Sequence, residues 1–432
     1  MSTATSRRVT AAFRSGPLGV RSFRLLAGGQ FASTIGDYCY AVALPWFVLS
    51  NHGSTILLGV VLACYGVPRT VLIPVGGMLA DKFGPRTLML SADVLRGVLV
   101  GVLTLLATRH TASVVTLGPT AALIGGGEGL FMPASFSIMP SLLDEGRLAA
   151  GNALSSTAVQ VGSLIGPAIG GALVASTGAS TAAFGIDAVS FAVSALSLAL
   201  IPRRAAAGSM AANSGSAAIG PESPAAEIPG KPPALLAYIR QARAIQIILM
   251  VAIAANLSYD GLLEVALPAL AHAHWGADGY GALLACMAVG AVIGTLAAAR
   301  SGRLRNPGMV AAVAYIISGG AIGLVPYLGG EAGAAAALLI LGVCNGLGGV
   351  IFFTMAQRKI PSAILGRVLS VIMLCTYGTF PLSVAVAGVL VRHIGATPFF
   401  PVAGIFLVVA MLGGNSQRAF RDFGRQAEAQ RA

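Results

Sequence analysis

The chain has 432 residues, of which 56% are hydrophobic and only 10% charged, against roughly 25% charged in an average soluble domain. So few charges cannot cover a water-facing surface of that size, which excludes a soluble globular enzyme. A net charge of +12 would suit a nucleic-acid binder. The Lys and Arg, however, lie in short segments between apolar runs, with no basic, aromatic-laced face, so nucleic acid is excluded as a partner.

Apolar runs long enough to cross a bilayer predict twelve helices, near residues 23–50, 56–80, 87–108, 113–137, 152–176, 180–201, 244–271, 279–299, 308–328, 332–356, 367–391 and 396–414. The basic stretch through Arg24 runs into a helix carrying Asp37 without a small-residue cleavage site, so the first helix is expected to stay attached. With a cytoplasmic N-terminus, only Arg109 and Arg392 fall in loops on the far side, and Arg69 and Arg96 lie inside spans. This bias places both termini in the cytoplasm of a cell-membrane protein. Cys39, Cys64, Cys286, Cys344 and Cys375 all fall within spans, where buried thiols rather than disulfides are expected.

The interval 202–243 is the one long non-hydrophobic segment, with the Ala, Gly, Ser and Pro content of a flexible linker. The expected organisation is a cytoplasmic tail (1–22), a six-helix bundle (23–201), a cytoplasmic linker (202–243), a second six-helix bundle (244–414) and a cytoplasmic tail (415–432). Pro140-Ser141 followed by Gly146-Arg147 is echoed by Pro361-Ser362 followed by Gly366-Arg367, and Leu62-Ala63-Cys64 by Leu284-Ala285-Cys286. These echoes suggest duplication. Two related halves place a substrate site between them near the bilayer midplane, exposed to each side in turn as the halves rock.

Between the second and third spans runs Gly77-Met78-Leu79-Ala80-Asp81-Lys82-Phe83-Gly84-Pro85-Arg86. Its glycines let two helix ends turn tightly, and Asp81 can pair with Arg86 or cap backbone amides. The run resembles the G-x-L-a-D-r-x-G-r-r loop of the major facilitator superfamily, with Pro85 standing where the pattern has a basic residue. The resemblance covers roughly residues 20–415 and implies that fold: an all-α membrane protein of about twelve helices in two pseudo-symmetric bundles. It also implies a conformational role for Gly77, Asp81, Gly84 and Arg86.

In the fifth span, Gly162, Gly166, Pro167, Gly170 and Gly171 are similar to the G-x-x-x-G-P-x-x-G-G pattern of the superfamily's antiporters, which points to export. Gly162, Gly166 and Gly170 share one helix face and permit close packing, while Pro167 favours a kink. Phe23-Arg24, Gly36-Asp37, the run Ala92 to Arg96 and the run Phe184 to Phe191 look like the macrolide-efflux and enterobactin-exporter branch. Ser135 follows Pro133-Ala134 where that branch often has Arg.

Ionisable residues inside spans are costly and therefore candidates for function. Asp93 and Arg96, three apart, are expected to form a structural ion pair. Arg69 needs an acidic partner, and Asp187 is expected to serve the dipole of an outer helix start. By resemblance, spans 1, 4, 7 and 10 line the cavity, which selects Asp37, Glu128, Asp260 and Glu264 for substrate or proton coupling. Asn256, Asp260 and Glu264 follow at i, i+4 and i+8 as a polar stripe. Carboxylates one turn apart repel, which favours proton binding by one of them. Tyr38, Tyr40 and Tyr259, with Asn256, Asn345 and Gln357, are candidate cavity-lining groups for a cationic, lipophilic ligand. His272 and His274, two apart on a helix, do not share a face for a metal, and no metal site is expected.

The reading is a secondary transporter in the bacterial inner membrane, exporting macrolide-like or other amphipathic compounds against the inward proton gradient. It is expected to act as a monomer among membrane lipids, with no cofactor. A siderophore or other endogenous metabolite is the alternative cargo. A non-transporting sensor or scaffold is the alternative class, disfavoured because neither the tails nor the linker resembles a folded signalling module. No phosphate-binding loop or nucleophile-base pair points to an enzyme.

Overall fold

The computed structural model describes residues 16–109, 113–202, 243–300, 307–359 and 362–417. Most of the two tails and nearly all of the linker predicted at 202–243 lie outside them. The described residues form twelve helical spans: α1 (Arg21–His52), α2 (Thr55–Phe83), α3 (Pro85–Thr108), α4 (Val114–Leu142), α5 (Glu145–Thr177), α6 (Thr181–Ala199), α7 (Arg243–His274), α8 (Gly276–Arg300), α9 (Pro307–Leu324), α10 (Glu331–Lys359), α11 (Ser362–Ile394) and α12 (Ala396–Ser416). Ten of them are long and apolar enough to cross a membrane on those grounds alone; α1, which carries Gln30, Thr34 and Asp37, and α4 are the others. Large apolar side chains such as Val71, Phe136, Val189 and Ile405 stand exposed, as lipid-facing residues must.

Local chemistry sets the helix ends. Gly84 has φ +83°, a backbone conformation that only glycine adopts without strain. Pro85 follows at the first position of α3, where its fixed φ and missing N–H suit a helix start. The proline that departs from the superfamily's loop pattern therefore has a structural reason to be there.

Helix α7 is not a regular α-helix. Residues Leu262–Ala266 form a π turn, with the Leu267 N–H donating to Leu262 O. Pro268 follows in the next turn and has no N–H to offer the carbonyl of Glu264, so the hydrogen-bond ladder re-registers there. The predicted stripe of Asn256, Asp260 and Glu264 thus has its third member inside the π turn.

Two compact units emerge. The first gathers α1, α2 from Val60 onward, α3 to α6, and Gly276–Gly281 of α8. The second holds α7, α8 from Ala282, α9 to α12, and Ser54–Gly59 at the start of α2. Inside the first, α1 packs on α5 and α6, and α3 packs on α4 and α6. Inside the second, α7 packs on α11 and α12, and α9 packs on α10 and α12. The same pairings recur six helices on, as a duplicated bundle requires.

Close helix approach in each unit depends on glycine. An added Cβ at Gly125 of α4 would lie 2.0 Å from Tyr65 O of α2, and one at Gly129 2.4 Å from Arg69 O. In the second unit, Gly290 of α8 would meet Leu339 O at 2.2 Å, and Gly342 of α10 would meet Met287 O at 2.0 Å. Helices that share lipid as solvent gain little by hiding apolar surface, so backbone contact of this kind supplies much of their association.

Gly125→Ala should therefore cost about 1–3 kcal/mol by overpacking. Gly101→Ala, with open space at its Cβ position, should be neutral. Thermal unfolding of the purified protein, followed by loss of the monodisperse peak in size exclusion, checks both.

Candidate functional site

The glycine contacts between α2 and α4 bring a cation and an anion together. Glu128 Oε1 lies 3.0 Å from Arg69 Nη2, and Tyr65 Oη donates to Glu128 Oε2. The Arg69 guanidinium also lies 5.7 Å from the Tyr65 ring, one turn earlier on α2. Glu128 is thus the acidic partner that Arg69 needed.

A second charge group is built around α3. Arg96 Nη2 lies 2.6 Å from Asp93 Oδ1, so the predicted pair forms. The pair is larger than its local spacing shows. Arg96 Nη1 reaches Asp37 of α1 at 3.9 Å, an ion-pair distance beyond hydrogen-bond range. Ser194 Oγ of α6 donates to Asp93 Oδ2 at 2.6 Å. The Arg96 guanidinium sits over the rings of Phe131 at 4.7 Å and Phe191 at 4.4 Å. Gly127 makes room for its stem: a Cβ there would lie 2.9 Å from Arg96 Cγ. Arg96 is 3% exposed, its Nε has no hydrogen-bond partner, and Asp37 is 47% exposed. One buried arginine is therefore shared between a fully buried carboxylate and an open one.

The antiporter-like glycines set the position of α1. A Cβ at Gly162 would collide with Thr34, at Gly166 with Tyr38 and Ile35 O, and at Gly170 with Cys39. The Cys39 thiol donates to Gly166 O at 3.3 Å. Gly171 instead meets Gly281, within the first unit. On another face of α1, Gly29 meets Ser197 of α6, and Gly36 meets Asp187 and Ser190. Helix α1 is clamped between α5 and α6, which fixes where Asp37 stands.

Several expected roles are not what the structure shows. Asp81 and Arg86 do not pair: Asp81 is exposed, while Arg86 Nε donates to Leu198 O at 2.9 Å and Nη2 to Ala199 O at 2.8 Å. Leu198 O also accepts from the Ile201 N–H at 3.2 Å, and the guanidinium caps the end of α6 alongside it. Gly77 has open space at its Cβ position. Asp187 does not serve a helix start, because it lies beyond the first turn of α6, buried against α1. The local spacing of α6 gave no sign of this; Gly36 beside Asp37 was the only hint that two helices meet there.

Among the candidate lining groups, Tyr259 is buried and hydrogen-bonded to Ser318, which leaves it closed to a ligand. Tyr40 packs its ring 5.6 Å from Phe184. Asn256 donates to Ala252 O of its own helix at 2.8 Å. Tyr38, Asn345, Asp260 and Glu264 are half-buried, and the Gln357 side chain lies outside the described residues. Ser383 of α11 accepts from the Gly261 N–H and donates to Leu257 O, each at 2.8 Å, just before the π turn.

Residues 26–383 match the model of the Major Facilitator Superfamily. The chain belongs to that superfamily. It is 27% identical to the uncharacterized MFS-type transporter YfiS of Bacillus subtilis over 89% of this chain and 90% of that protein. It is 27% identical to the enterobactin exporter EntS of Shigella boydii, covering 80% of each. Similarity to the multidrug efflux pump Tap of Mycolicibacterium fortuitum is 28% identity over 38% of this chain and 40% of that pump. Among solved structures, a peptide transporter POT superposes with a TM-score of 0.72 over 94% of this chain and 95% of that one. A D-xylose-proton symporter gives 0.68 over 90% and 96%. At 15% and 14% identity these two establish the fold alone.

As a superfamily member the protein is a multi-pass membrane transporter and not an enzyme. Within that fold, the Arg96 group is expected to be stability-critical. Arg96→Ala strands Asp93 as a buried unpaired charge, and breaking a buried pair in this way costs about 3–5 kcal/mol. The double variant Asp93→Leu with Arg96→Met should recover most of the loss. A double-mutant cycle on melting temperature checks this.

Proposed function

We propose that the protein exports amphipathic compounds from the cytoplasm in exchange for protons. The observation that carries this reading is the single buried Arg96 shared by Asp93 and Asp37. A proton arriving at the open Asp37 removes its attraction for Arg96, which then settles wholly on Asp93. Loss of that proton restores the pull across the α1–α3 contact. An equilibrium that a proton can bias is what coupling needs. Glu128, Asp260 and Glu264 are the other carboxylates assigned to coupling or cargo.

In this reading the bundles 23–201 and 244–414, joined by the cytoplasmic linker 202–243, alternate access to a midplane site in the bacterial inner membrane. Both termini face the cytoplasm, and the protein works as a monomer with the proton gradient as its only co-substrate. The glycine–proline pattern of α5 and the similarity to a multidrug efflux pump support drug-like cargo. A second reading, export of a siderophore or other endogenous metabolite, draws on the more extensive similarity to an enterobactin exporter.

Cells expressing the protein should accumulate less ethidium or labelled macrolide than control cells, and a protonophore should abolish the difference. Asp37→Asn, at equal membrane expression, should lower the efflux rate at least about tenfold, ~1.4 kcal/mol of activation free energy. Should the well-expressed protein leave both compounds unchanged, drug cargo is ruled out and the medium is assayed for exported metabolites. Should efflux survive the protonophore, proton exchange is ruled out.

A further inference from the structure

Away from the helix ends, the spans of the first unit hold the arginines Arg69 and Arg96 and the carboxylic acids Asp37, Asp93, Glu128 and Asp187. Arg69 is taken by Glu128, and Arg96 by Asp93 with Asp37 at its edge. Asp187 is 1% exposed and, among the described residues, has no cation within ion-pair distance. An ionised carboxylate so placed would be among the costliest groups a membrane protein could hold.

Its hydrogen bonding points the same way. Ser190 Oγ lies 3.4 Å from Asp187 Oδ1 and 2.8 Å from the Asp187 backbone O. A serine hydroxyl carries one proton, and the shorter contact takes it. The carboxylate form of Asp187 would then receive from that hydroxyl at most a long, shared contact. The acid form can instead offer its own proton to a lone pair of the Ser190 oxygen. Asp93, equally buried, is the contrast: it receives Arg96 and the Ser194 hydroxyl, each at 2.6 Å.

We propose that Asp187 holds an exchangeable proton in this conformation, a proton site on α6 that works beside Asp37. The proposal rests on the reading of the protein as a proton-driven exporter and extends its coupling machinery to α6. Gly36 carries the link: a Cβ there would lie 2.6 Å from Asp187 Oδ1 and 2.1 Å from Ser190 Oγ, so the acid lies against the α1 backbone one residue before Asp37. The groups that act on Asp187 are Asp37, Cys39 and Tyr40 from α1, Arg96 from α3, and Ser190 from its own helix. Asp93, held by Arg96, completes the set. Release breaks the carboxyl O–H bond and passes the proton to solvent at the exposed Asp37. The new anion has Arg96 as its nearby counter-charge, and drawing Arg96 toward α6 loosens its hold on Asp37.

The test needs no cargo, so its outcome is separate from that of the transport assay. Infrared difference spectra of the purified protein in lipid, with 13C-aspartate to distinguish Asp from Glu, should show a protonated aspartic acid C=O band at neutral pH. The band should disappear in Asp187→Asn, persist in Asp37→Asn, and be lost reversibly on alkalinisation of the folded wild-type protein. If Asp187→Asn does not fold, Ser190→Ala removes the proton's acceptor and should shift the same band. A band that survives Asp187→Asn or stays unmoved in Ser190→Ala overturns the proposal. So does an Asp187 band that never titrates while the protein stays folded, because its proton would then be structural.

Discussion

Inside a bilayer a charge has no water to turn to, so each arginine and carboxylate must find its counterpart in the protein or give up its charge. In the first unit this constraint organises the helices. Arg96 reaches from α3 toward α1, with Asp93 beneath it, Ser194 of α6 bracing Asp93, and two aromatic rings covering the guanidinium. Arg69 and Glu128 do the same work between α2 and α4. Each group joins helices that are far apart in the chain. An α-helix satisfies its own backbone, so side chains of this kind are among the few polar links left between helices.

These links exist only because the backbones come close. Gly125 and Gly129 let α4 touch α2, Gly127 admits the stem of Arg96, and Gly29 and Gly36 let α1 lie on α6. A methyl group at Gly125 or Gly129 would run into the backbone of α2, and the helices would have to part there. Charge pairing and glycine packing are therefore one design seen from two sides. The second unit repeats the packing but not the charges: α8 and α10 meet through Gly290, Gly294, Gly342 and Gly346, with no buried arginine among its described residues. The duplicated halves share a frame and divide the chemistry unequally.

The π turn in α7 adds a local irregularity of a different origin. Pro268 withholds one N–H, the helix widens by a residue at Glu264, and Ser383 of α11 ties the turn before it. Asp260 and Glu264 are the acids on this element, which is where a re-registered helix can present polar groups that a regular one would bury.

Much of this was legible in the residues. The apolar runs gave twelve spans, because hydrophobic length is a one-dimensional property that lipid thickness reads directly. The Asp93–Arg96 pair followed from helix periodicity, and Arg69 announced that it lacked an acid. The extension of that pair to Asp37 and Ser194, the choice of Glu128 for Arg69, the turning of Arg86 to the end of α6, and the burial of Asp187 against Gly36 were not legible. Each depends on which helix lies beside which and at what rotation. Sequence determined that this chain lives in lipid, how many times it crosses, and that its buried charges must be answered. Only the tertiary structure decided which partner answers each one, because a contact between helices is fixed by packing angles and glycine-sized gaps that local spacing does not encode.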